Sequence, residues 1–244
     1  MRLTSTVVGP GKKFEDKELF ENNAFLVPHE PLRYMMEGCL WALENVDETD
    51  KDLASGVLRM VEMLHTFIHG HHEGEDSVCS TILPDLFGEG KSTKKDHVEL
   101  AKMIDSVKDA TQAMVSGDAS GRQRSIELLK TLQVELLTHL AVEEEMGPVA
   151  FKQLGWSEEE FNKWVVSKLL PFESQVSKKL NGKHCSKIDG AIFCLIVSNM
   201  CAWNSPEAAM HFFKGTRIPF FVANAFKACL AYRWVEPLKA ISQR

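Results

Sequence analysis

VEMLHTFIHGHHEGED, residues 61–76, is the stretch on which the fold turns. Val61, Leu64 and Ile68 recur at spacings of three and four, the mark of one face of an α-helix. Followed along that face, the next inward positions are His71 and Glu75, after which Val78 and Ile82 resume the apolar run. A separation of four sets two side chains about 40° apart around the axis and about 6 Å along it. His71 and Glu75 can therefore reach a common point inside a helical bundle. Gly70 and Gly74 each weaken a helix by about 1 kcal/mol, which leaves a competing register, His72 with Asp76; His71 with Glu75 is preferred because it continues the stripe. His65 and His69, also four apart, fall to its side and read as supporting or surface residues.

Three more helical stripes carry the same substitution of histidine for an apolar residue. Leu32, Met36, Leu40 and Leu43 lead back to His29; Leu100, Ala101, Ile104 and Val107 lead back to His97; Leu129, Leu132 and Leu136 lead on to His139 and Glu143. The helices are expected from about Pro28–Pro31 to Asn45, from a Thr49–Asp52 capping box towards residue 83, over Lys95–Val115, and from Arg122 to Glu145 with a stop at Gly147–Pro148. Pro84–Lys95 and Ser116–Gly121 read as loops. In an up-down four-helix bundle the four histidines then stand at one end. Glu144 and Glu145 should face water.

The residue types select the chemistry. Buried carboxylates cost several kcal/mol unless they are paired or coordinate a cation. Imidazole with carboxylate suits iron, manganese or zinc, whereas copper(I) prefers thiolates. His29, His71, Glu75, His97, His139 and Glu143 are thus the candidate metal ligands. His184 and His211 have no companions and read as structural; Met35, Met36, Met60 and Met63 read as core.

Composition excludes several alternatives. A net charge of -6 over 244 residues offers no basic footprint for nucleic acid. The amino-terminal residues MRLTSTVVGPGKKFEDKELF lack an apolar core of signal-peptide length, and the apolar stretches Ile188–Trp203 and Ile218–Trp234 are too short to span a bilayer. A cytoplasmic protein with no membrane partner is expected. The six cysteines contain no C-x-x-C pair, which disfavours a disulfide framework or a zinc ribbon. Residues 1–27 read as an amino-terminal extension, 28–150 as the bundle, and 151–244 as shorter helices, with starts at Trp156–Glu160 and Asn204–Pro206.

With these motifs in place, the chain resembles the hemerythrin family, in its HHE cation-binding branch. The matching residues are His29 in VPHEPLRYMM, the HHEGED motif with Leu83–Pro84 after it, His97 in KKDHVEL, and His139 and Glu143 in HLAVEEEMGP. The segment AWNSPEAAMHFFKGTRIPFFVANAFKACLAYRW is similar to the carboxy-terminal extension of many such proteins. The resemblance implies a left-turning all-α, hemerythrin-like four-helix bundle with a non-haem diiron centre: two iron ions, terminal histidines His29, His71, His97 and His139, and bridging Glu75 and Glu143. Oxygen-carrying members have a further histidine four residues after the third-helix ligand, where this chain has Ala101, and their fourth-helix carboxylate falls at five residues rather than four. His72 or Glu73 stands in reach of the missing place. The expected function is binding of dioxygen or a related diatomic ligand, or sensing or storage of iron, rather than an enzyme. The alternatives are a diiron oxidase or peroxidase, and a helical interaction module with a zinc- or pH-responsive histidine cluster. A protein partner or a second copy could dock on the carboxy-terminal helices.

Overall fold

The computed structural model describes residues 20–203 and 227–243, and among these it is all-α with no strand. Four long helices form the bundle: α1 (Phe20–Asn45), α2 (Lys51–Ser77), α4 (Ser92–Val115) and α5 (Gly121–Gln153). A four-residue helix, α3 (Pro84–Phe87), lies between α2 and α4. Neighbours pack in the cyclic order α1, α2, α4, α5 and back to α1, the arrangement of an antiparallel up-down bundle with short connections. The expected stripes line its core: Leu32, Met36, Leu43, Val61, Leu64, Ile68, Leu100, Ile104, Val107, Leu129, Leu132 and Leu136 are all buried, as are Met35, Met60 and Met63. Leu40 and Ala101 are only partly so.

The helix ends depart from expectation for identifiable reasons. α1 starts at Phe20 and carries Pro28 and Pro31 inside it, not in its first turn. An interior proline costs about 3 kcal/mol, but the added turns bury Phe25 and Leu26, each worth about 1.5–3 kcal/mol. The cap of α2 is Asp50, which accepts from the backbone N–H of Asp52 (3.0 Å) and Leu53 (3.1 Å); Thr49 instead bonds Asp47. α2 stops at Ser77, short of residue 83; a 3-10 turn (Cys79–Thr81) follows, and Pro84 holds Leu83 out of the helical region (φ -123°, ψ 58°). Part of the expected loop is the helix α3, whose Leu86 and Phe87 are buried. α5 runs through Gly147–Pro148 to Gln153. There Gly147 is a packing residue and not a stop: a methyl group built on it would lie 2.2 Å from the Phe25 ring.

The chain after the bundle forms a second layer. Ser157 caps α6 (Glu158–Trp164) in a reciprocal box with Glu160, as expected. A π-turn (Val165–Leu169) leads into α7 (Leu170–Asn181), then α8 (Cys185–Trp203), and a second π-turn (Ala231–Val235) leads into α9 (Glu236–Ser242). α7 packs on α2, and α8 and α9 pack on both α1 and α2. Trp234 is 1% exposed and lies over Gly38. Gly74 lets the π-turn and α7 approach α2 closely, since a methyl group on it would sit 2.9 Å from Leu169 and 3.5 Å from the Glu173 carboxylate. No described helix is long and apolar enough to cross a membrane. His184 is exposed in the 3-10 turn Gly182–His184; His211 and Asn204–Pro206 lie outside the described residues. Cys39, Cys79, Cys185, Cys194 and Cys229 carry thiols, not disulfides.

Candidate metal centre

All six residues picked from the helical stripes meet at one end of the bundle. His29 comes from α1, His71 and Glu75 from α2, His97 from α4, and His139 and Glu143 from α5; each is buried. Glu143 is central. Its Oε1 lies 3.1 Å from His139 Nε2 and 3.4 Å from His97 Nε2, and its Oε2 lies 3.3 Å from His29 Nε2. Glu75 reaches His71 Nε2 through one oxygen and His97 Nε2 through the other, both at 3.5 Å. His97 and His139 bring their Nε2 atoms within 3.0 Å of each other.

A seventh residue completes the group. His72 is buried, stacked on His97 at 4.3 Å with the rings 6° from parallel, and neither of its ring nitrogens has a protein partner. The donors fall into two sets of four, each with its atoms within 4.8 Å of one another: His72, Glu75, His97 and His139, and His29, His71, Glu75 and Glu143. Glu75 belongs to both. The two registers weighed for HHEGED are therefore not exclusive in their histidines, since His71 and His72 each belong to one donor set, while Asp76 stays outside both and accepts from His97 Nδ1. Glu73 stays out of it, partly exposed beside His69 at 3.9 Å.

Outside the donors stands a ring of carboxylates that orient them. His97 Nδ1 donates to Asp76 (2.9 Å) and His29 Nδ1 donates to Glu144 (2.9 Å); Asp96 lies 3.7 Å from His139 Nδ1. An imidazole whose Nδ1 proton is held by a carboxylate turns the lone pair of Nε2 towards the interior, as metal-binding histidines do. Glu144 is buried, contrary to its expected exposure, and Arg33 holds its charge at 2.7 Å and Glu30 at 2.8 Å. Glu145 is exposed as expected.

The electrostatics without a cation are unfavourable. Burial pushes Glu75 well above the usual carboxylate range, and the Glu143 charge adds to the push. Burial opposes ionisation of Glu143 too, but the imidazoles of His139, His29 and His97 around it bring it well below that range. Burial and the neighbouring imidazoles hold His71 and His72 neutral. His29 Nε2, His71 Nε2, Glu75 Oε2 and Glu143 Oε2 are buried without a hydrogen-bond partner. Such atoms are rare in folded proteins and call for an ion or water. The donor set therefore fits a pair of cations of the iron, manganese or zinc class.

Apolar side chains close the same end. Leu83, Leu86 and Phe87 of the α3 region cluster with Phe25 and Phe151, and Phe25 and Phe87 stand 6.2 and 6.4 Å from the rings of His29 and His97.

Comparison with curated proteins and with solved structures returns no match. Comparison with protein families does: the hemerythrin HHE cation binding domain matches residues 23–150. That span contains the four bundle helices from Asn23 to Ala150 and all seven inward donors, and the chain belongs to the hemerythrin HHE cation-binding family.

Proposed function

We propose that the protein is a non-haem diiron protein that binds dioxygen or a related diatomic ligand, or reports or stores iron. The observation that carries this reading is the pair of four-donor sets sharing Glu75. His29 and His71 would hold one ion and His72, His97 and His139 the other, with Glu75 and Glu143 between them. Two such ions supply redox chemistry and open positions for a small ligand. The chain's own residues do the rest. Glu75 and Glu143 provide negative charge that a cation pair compensates, Asp76 and Glu144 keep the Nδ1 protons of His97 and His29, and Phe25, Phe87 and Phe151 limit water. Five histidines against two carboxylates make this set poorer in carboxylate than the Glu-rich sites of oxygen-activating ferritin-like enzymes, which favours ligand binding over oxidation.

Metal analysis of protein produced with iron is expected to find about two irons per chain, as two donor sets imply, with a visible band that changes when oxygen is admitted. Iron bound at 1,000 times its Kd should raise stability by about 4 kcal/mol, and a chelator should reverse the gain. Metal-free protein with unchanged melting behaviour overturns the reading. Substrate-dependent turnover of oxygen would move the protein to the oxidase or peroxidase alternative.

A further inference from the structure

A third cluster of donors lies outside the centre, on the other side of α2. His65 and His69, one turn apart, both point Nε2 at the same oxygen of Asp105 on α4, at 2.8 and 2.9 Å. Six residues separate His65 from His71, which turns it about 120° around the axis from the inward face. The rings of His65 and His69 are 4.6 Å apart. His65 is buried, whereas the Asp105 side chain is 54% exposed, so the cluster opens to solvent through its carboxylate.

We propose that His65, His69 and Asp105 form a separate binding site for a single divalent ion of the zinc class. Two imidazoles and one carboxylate converging on one point, with an open side towards water, are a donor set of that class. The three donor atoms lie within 4.8 Å of one another. A tetrahedral ion with bonds of about 2.0–2.1 Å spaces its donors about 3.3 Å apart, so the carboxylate has to retreat by only a few tenths of an ångström, and its exposure lets it. Glu73 stands 3.9 Å from His69 Nδ1, on the far side of the ring from Asp105, where a carboxylate steadies a metal-binding histidine. His65 is buried, with Lys108 and His69 beside it. Lys108 is the opposing charge, one turn along α4 from Asp105.

The test is equilibrium dialysis of the iron-loaded full-length protein against zinc, with cobalt(II) as a coloured substitute. One zinc per chain beyond the iron is expected, together with the visible absorption of a tetrahedral cobalt site. Asp105→Asn and His69→Ala should each weaken zinc binding by about 100-fold or more, because loss of even an outer partner costs about 10–100-fold. Both should keep the iron content. Asp105 is more than half exposed, so Asp105→Asn keeps the test valid should His69→Ala misfold. No uptake beyond the iron, or uptake indifferent to both substitutions, overturns the proposal. If the central donors take no iron, dialysis of the metal-free protein still reads this site as the ion that Asp105→Asn loses, so the two readings fail separately.

Discussion

His72 follows His71 directly, 100° further around α2, and the two imidazoles serve opposite sides of Glu75. A helical stripe admits one inward residue per turn, so phase reasoning chose His71 with Glu75 and left His72 as its rival. The signal that could have joined them is the doublet itself, two histidines at one level of one helix. Phase was sufficient elsewhere, because His29, His97, His139 and Glu143 each replace a single core residue. It failed again at Glu144, which phase sets with Glu145 on the solvated side but which is buried. The clue lay on α1, where Arg33 comes one turn after His29. Two outcomes follow at this scale. His72→Ala should lower metal content by about one ion per chain while helicity by circular dichroism is retained. Asp76→Asn, which removes the acceptor of the His97 Nδ1 proton, should weaken metal binding by about 10–100-fold in a competitive titration.

Helices existed where periodicity put them, and their ends were the part the sequence concealed. Each missed end was decided by a contact made far along the chain. α1 begins early because Phe25 has a place beside α5, and α5 continues because Gly147 leaves room for that ring. Local rules score Gly–Pro as a stop and have no knowledge of Phe25. Gly147→Ala measures the contact directly. Alanine is the better helix former by about 1 kcal/mol, yet its methyl group would overlap the ring, and overpacking costs about 1–3 kcal/mol. Net destabilisation in urea is expected, and Phe25→Leu in the same chain should recover part of it. A stabilised single variant would show that Gly147 is not a packing residue.

At the scale of the molecule, the carboxy-terminal layer is tied to the bundle by Trp234, and Trp234→Ala should cost about 3–5 kcal/mol while metal content stays unchanged. The same layer brings in Glu173, which burial, with Asp189 nearby, raises to about 8. The folded chain then keeps a proton that the unfolded chain releases near 4.5. Its contribution to stability is fully present below about 4.5 and is lost as the pH rises through about 8. Glu173→Gln should flatten that decline in melting temperature. A decline as steep as that of the unaltered chain would assign it to other groups. The existence of helices in this layer was legible from its apolar runs, but its docking was not, because the grip is formed by glycines that carry no pattern. With only a hydrogen at position 74, no side chain stands between the backbone of the helix that bears His71, His72 and Glu75 and the outer-layer residues Leu169 and Glu173. A methyl group at that point would have no room unless Leu169 moved aside.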